Sequence, residues 1–561
     1  MYASFHLPVN LCPSALRYLD SVRPVAEKLL SEPLLALPYT AFRLYSTTGS
    51  RVEYENAYMD HRKRLCAFSG MLVSEPENPK WLDALCDTLF AVCDEYTWAL
   101  PAHIPNIAAT EAVITHLDLF SCETSMALAE IVRLFGNILP ECVLNRVKFE
   151  VTRRTVRPYL NNPDPRFGVS NWSAVCGGAI GCTMIALGLD EAFEAAQQKI
   201  MNNMSDFLMS FTDDGCCLEG SLYWSYGFGF FTYFAETLRE YTNGTLDFFA
   251  DEKVRSIAHF AANTSLGGSF VLSFSDAPHT LKLDRALMNI LANIYDDIPV
   301  PDESALSVFG DDTRYRFAPF IRNLLSAPPI KNAAVRQADT VFYPDGAWYI
   351  NRKYGYTLAA KGGHNDEPHN HNDIGSFLVF DGGAFILDDV GWSSYNRDYF
   401  DHIKRYQNPC ASSSGHGVPL IDGETQKAGR SRHADILAAD GTRFAIEYAA
   451  AYDLPALRSL RRTFTPDERG VTVTEEADGT FSSFVYRYAT RIKPVIDGKT
   501  VRIASWTLTC DHDVVPTVSS FTFTPRFSGL DGDESENETA YLINFAFGVF
   551  DKAVFRLEKD R

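Results

Sequence analysis

The sequence has no run of roughly eighteen apolar residues, so nothing in it reads as a transmembrane helix. Its first twenty residues lack the basic start and long apolar stretch of a secretory leader, so the chain reads as cytoplasmic, with a secreted or periplasmic protein whose leader was removed as the alternative. Basic residues are scarce relative to acidic ones: 51 Lys and Arg stand against 71 Asp and Glu, a net charge of −20. That excess disfavours non-specific nucleic-acid binding, and an anionic ligand would need a local basic pocket. No two cysteines form a C-x-x-C pair, although there are 12, ten of them by position 217. This excludes a zinc finger and suits reduced thiols filling a core.

What is present is apolar and aromatic. Hydrophobic residues make up 46% of the 561, with 39 Phe, 26 Tyr and 7 Trp, enough for large cores and for sugar-stacking grooves. The first 330 residues read as helices. Lys80–Leu100 places Trp81, Leu82, Leu85, Leu89, Phe90 and Cys93 at helical spacing, and Ala109–Phe135, Glu141–Leu160, Trp172–Leu187, Glu191–Phe211 and Tyr223–Tyr241 continue the pattern. Several are apolar on more than one side, as in a toroid of helical hairpins. Around Ala327–Asn332 the character changes to short β-type runs divided by turns such as Asp-Gly-Gly after Phe380. The predicted fold class is α+β and multidomain: an N-terminal (α/α) toroid over 1–330, then a C-terminal antiparallel β-sandwich over 331–561.

Three segments carry chemistry. Six of the 13 His fall between 364 and 433, within and after GGHNDEPHNHNDIGSF at 362–377. His369 and His371 are two apart, so on an extended segment they face the same way. Such a pair suits a metal, or one ligand beside one proton carrier; Asp388 or Asp389 and then His416 follow, a donor set typical of Zn²⁺. The second segment, FGVSNWSAVCGG at 167–178, sets Asn171 and Trp172 at a Gly-rich helix start, where an amide donor and a helix cap are both open readings. The third, DDGCCLEGSLYWSYGFGFF at 213–231, clusters Tyr223, Trp224 and Tyr226, either as core packing or as a reactive phenol with stacking neighbours.

In this order and context, SNWSAVCGG, EGSLYWSYG, H-x-H-x-D-x-G-S-F, D-x-G and GHGVPLIDG resemble the heparinase II/III-like polysaccharide lyases over residues 110 to 430 or so. The resemblance implies β-elimination on uronic-acid-containing glycans. It implies Asn171 as the donor to the uronate carboxylate, Tyr223 and His369 as proton-transfer groups, and a structural Zn²⁺ on His371, Asp389 and His416. Tyr226 is the alternative phenol and Asp388 the alternative ligand. Trp172, Trp224 and Tyr226, with Arg397 and Arg405, are the expected substrate contacts. The expected partner is an anionic uronate oligo- or polysaccharide, with neither nucleic acid nor membrane. A glycoside hydrolase on an α-toroid and a non-catalytic glycan-binding protein are the competing readings. The acidic balance and free thiols favour imported oligosaccharides, with exo-type release, over long polymers.

Overall fold

The computed structural model describes residues 5–8, 11–325, 337–394, 398–525, 537–549 and 551–560. Packing divides the chain into two compact units. The first comprises Met1–Ser210, Ser225–Arg255 and Lys282–Val335; the second comprises Phe211–Trp224, Ser256–Leu281 and Arg336–Arg561. The second unit thus takes in two segments from the helix-rich stretch, and one of them carries Tyr223. The change of character expected at Ala327–Asn332 lies outside the described residues.

The first unit is built from helices paired by short loops, such as Val52–Ser74 with Pro79–Asp94 and Asn171–Ala186 with Asp190–Leu208. The Asn171–Ala186 helix is buried almost all round. Its glycines explain how: a Cβ on Gly177 would meet Asn203 at 2.7 Å, and one on Gly181 would lie 2.4 Å from the Phe234 ring. Neighbouring helices therefore approach closer than any larger residue would allow.

Several helices are shorter than their apolar spacing predicts. The one expected over Lys80–Leu100 ends at Asp94, because Glu95 turns inward to Arg62 (2.9 Å) and His61 (2.7 Å). The one expected over Ala109–Phe135 divides into Thr110–Ile114 and Leu119–Phe135. There Asp118 caps the second helix: its carboxylate accepts the Ser121 N–H at 2.7 Å while the Ser121 hydroxyl accepts the Asp118 N–H at 2.9 Å. Glu141–Leu160 and Tyr223–Tyr241 are helical but carry π-helical turns at Thr152–Val156 and Trp224–Phe228. Such turns are frequent at functional sites, and the second directly follows Tyr223.

The second unit is dominated by antiparallel sheet. Five strands run in the order Thr340–Tyr343, Trp348–Asn351, Thr357–Lys361, Phe377–Asp381, Ala384–Leu387. The last two form the expected hairpin, with Gly382 and Gly383 at φ of 57° and 86°, a turn that requires left-handed backbone. An eight-stranded sheet runs from Asp435–Ala439 to Val495–Asp497, and a four-stranded one includes Phe484–Thr490 and Glu538–Phe547. Inner side chains such as Tyr349, Phe377, Phe464, Tyr486 and Phe555 make one continuous core.

That core contains a fully buried ion pair, Arg462 with Glu475 at 3.0 Å. Arg462 also donates to the carbonyls of Gly375 (2.5 Å) and Gly417 (2.8 Å), so its charge is distributed over several acceptors. All twelve cysteines are unpaired thiols. Among the described residues no helix is long and apolar enough to cross a membrane.

Candidate active site and metal centre

Asp276 is the hub of the second unit's polar cluster. It is fully buried and accepts from four side chains: His369 Nδ1 at 2.7 Å, His371 Nε2 at 3.0 Å, Arg405 at 3.3 Å, and the Tyr399 hydroxyl. Burial alone would raise its pKa. The hydrogen bonds from both histidines and the Arg405 charge outweigh burial and hold it well below the usual carboxylate range. An ionised carboxylate only accepts, so Nδ1 of His369 and Nε2 of His371 each carry a hydrogen.

That assignment fixes what the two imidazoles offer on their other side. His369 turns Nε2 toward Glu219, 3.9 Å away, and its ring stacks on Tyr223 with centroids 4.3 Å apart and planes at 26°. His369 has a φ of 57°, left-handed backbone that a non-glycine residue rarely adopts. Burial pushes the Glu219 carboxyl up in pKa, more than the His369 charge draws it down.

His371 turns Nδ1 into a buried space where none of the described residues hydrogen-bonds it. Asp373, Asp389 and His416 face the same space, and the four residues each offer a ligand atom within 4.8 Å of the others. His416 donates Nε2–H to the Cys410 carbonyl at 2.8 Å, which leaves Nδ1 toward Asp389 (3.2 Å) and Asp373 (3.5 Å). Burial alone would lower the His416 pKa, but the Asp389 charge and hydrogen bond push it up to about 9. Lys361, buried with them, meets Asp373 at 2.8 Å. Both histidines thus have their outer nitrogens anchored to oxygen acceptors and their inner nitrogens turned toward two carboxylates. This is how metal-ligating histidines are oriented, and the unpartnered Nδ1 of His371 fits an ion. The group could hold a metal.

The expected residues fall into three sets. Tyr223 and His369 are brought together, as are His371, Asp389 and His416. Asp388 lies apart from the ligand group, its oxygens engaged by His279 at 2.7 Å and Arg491 at 3.1 Å. Arg405 spends its guanidinium on Asp276 and the Asn370 carbonyl and lies over the Tyr399 ring, so it braces the cluster. Trp224 is fully buried and gives its indole N–H to the Ile257 carbonyl at 2.7 Å; it has no face for a sugar and packs as core. Arg397 lies outside the described residues. Sequence reasoning missed Asp276, Asp373 and Tyr399. Asp373 continues the two-residue spacing of His369 and His371, and that spacing was the available signal. Asp276 sits in a stretch read as helical, where no pattern marked it.

The remaining residues belong to the first unit. Asn171 opens its helix, but the cap is Ser170, whose side chain accepts from the Trp172 N–H at 3.3 Å. Trp172 is half-buried and lies 5.0 Å from the His103 ring. Tyr226 donates its hydroxyl to Glu123 beneath the Arg316 guanidinium, 4.2 Å from the phenol ring. Burial pushes Glu123 up to about 7, against the pull of Arg316 and the Tyr226 hydroxyl. A carboxyl raised in the folded state contributes stability that is full below about pH 4.5 and is lost as pH rises through about 7. Glu123→Gln is therefore expected to match the wild type near pH 5 and to exceed it by about 3 kcal/mol at pH 8. Thermal melts across that range check this; parallel curves would show that Glu123 does not titrate there.

No family model and no curated protein matches the sequence. Solved structures do. A heparinase III matches at 10% identity and a TM-score of 0.65, covering 99% of this chain and 85% of that one. The heparan sulfate lyase HepC of Pedobacter heparinus matches at 11% and 0.61, covering 97% and 88%. The chondroitin AC lyase of Streptomyces coelicolor A3, solved with chondroitin sulphate, matches at 11% and 0.53, covering 97% and 83%. At these identities the likeness is one of fold. The chain has the fold of these lyases, a helix-rich N-terminal α/α toroid followed by an antiparallel β-sandwich.

Proposed function

We propose that this protein is a polysaccharide lyase that cleaves uronate-containing glycans by β-elimination. The observation that carries the reading is the stacked Tyr223–His369 pair, with the imidazole tautomer set by buried Asp276. Fold likeness to glycosaminoglycan lyases supports it.

The reaction breaks the C5–H and C4–O4 bonds of the uronate and forms a C4–C5 double bond. Nε2 of His369, facing away from Asp276, takes the C5 proton. The Tyr223 hydroxyl protonates the departing O4. The resulting imidazolium gives up its proton and the phenolate regains one through solvent once the product has left. Zn²⁺ held by His371, Asp373, Asp389 and His416 would act as a brace, fixing the segment that presents His369, with no part in proton transfer.

The test is a screen of uronate polysaccharides and oligosaccharides by ultraviolet absorbance, because the C4–C5 double bond conjugates with the carboxylate. A hydrolase would release sugars without that absorbance, and its absence with every uronate glycan would sink the lyase reading. We further propose short oligosaccharides as the preferred substrates, since a net charge of −20 repels long polyanions. Sizing the products of a long polymer checks this: a rapid early fall in polymer mass would refute it.

A further inference from the structure

A second polar group in the helical unit is held as carefully as His369 but is not used by the reaction above. His103 lies in the 3-10 turn Pro101–His103, and its Nδ1 meets Asp118 Oδ2 at 2.8 Å. Asp118 is fully buried, and its two oxygens already accept backbone hydrogens, from Ser121 at 2.7 Å and from Leu100 at 3.2 Å. Both are acceptors, so Nδ1 of His103 donates. Capping the helix needs only one carboxylate oxygen; the other fixes the imidazole.

Nε2 is thereby turned away from Asp118, and none of the described residues hydrogen-bonds it. The His103 side chain is 15% exposed. Its ring meets Trp172 at 5.0 Å and 58°, and Phe120 at 5.9 Å, so the rings form a tilted corner, not a closed stack. The indole N–H of Trp172 is likewise unengaged by any described residue. An apolar ring face beside an outward imidazole nitrogen is what a pyranose needs: C–H groups against the indole, an equatorial hydroxyl against Nε2. A hydroxyl both donates and accepts, so it satisfies Nε2 in either protonation state. A sulfate or carboxylate would satisfy only the protonated one.

We infer that His103, oriented by Asp118, and Trp172 form a sugar subsite that reads a ring hydroxyl, not a charged substituent. The inference rests on the lyase reading for its substrate class.

The test measures binding without turnover, by calorimetric titration of the Tyr223→Phe protein with an unsulfated uronate tetrasaccharide and its sulfated counterpart. His103→Ala and Trp172→Ala are each expected to weaken both ligands about tenfold, by the same factor at low and high salt. His103→Gln, which keeps a hydrogen-bonding amide, should recover most of the loss, and it serves if the alanine variant melts early. A loss confined to the sulfated ligand, or one that fades at high salt, would overturn the inference in favour of an anion contact. Unchanged binding in both alanine variants, or no binding by the parent protein, would overturn it outright. If the binding pattern holds but wild-type protein makes no unsaturated product, the lyase reading fails and the subsite stands.

Discussion

Tyr223→Phe is expected to lower kcat by about a thousandfold while leaving oligosaccharide binding and melting temperature near wild type. The substitution removes only the hydroxyl. The remaining ring can still stack on His369 at the observed 4.3 Å, so the geometry of the imidazole and its bond to Asp276 should persist. What disappears is the proton for the leaving O4, and without it the oxygen must depart as an alkoxide. Product absorbance under saturating substrate checks kcat, and calorimetry checks binding. A Tyr223→Phe enzyme that kept more than about a tenth of its turnover would remove Tyr223 from the mechanism. Tyr226 would be a poor replacement, since burial and the Glu123 carboxylate beside it push its pKa well above that of a free phenol.

Stripping the metal should have the next largest effect. Purified protein is expected to carry close to one equivalent of zinc, and strong chelators should lower its thermal stability together with its activity, because binding to an assembled site adds to folding free energy. Asp373→Ala should cost more than a ligand. Lys361 is buried beside Asp373 and would be left unpaired, a loss of about 3–5 kcal/mol. Elemental analysis and chelator melts are the checks. Protein holding less than about a tenth of an equivalent after expression in zinc-supplemented medium would defeat the assignment, as would melts indifferent to chelator.

Much of this architecture is written locally. Apolar residues recur at helical spacing up to Tyr241, and the Asp-Gly-Gly turn fixes its hairpin without help from distant residues. The grouping of Tyr223 with His369, and of His371 with Asp389 and His416, was legible because short motifs carry these residues. Two kinds of information were not local. Helix ends such as Asp94 depend on where Glu95 finds Arg62, a partner 33 positions away. Asp276 is identified only by what reaches it: both histidines lie more than 90 positions later, and nothing in its own neighbours announces a carboxylate that will orient them. Trp224 shows the converse. Its residue type and motif suggest a sugar platform, but the peptide carbonyl that claims its indole N–H can be known only after folding.

Arg462 has a consequence for how such a protein can change over generations. One guanidinium, sealed in the core, ties down the carbonyl of Gly375 just after His371 and Asp373, and the carbonyl of Gly417 just after His416. Lengthening either segment by a residue would pull a carbonyl off the clamp and leave a buried guanidinium N–H without its acceptor. The two segments are therefore closed to insertion and deletion, and a change in chain length has to fall in loops that Arg462 does not hold.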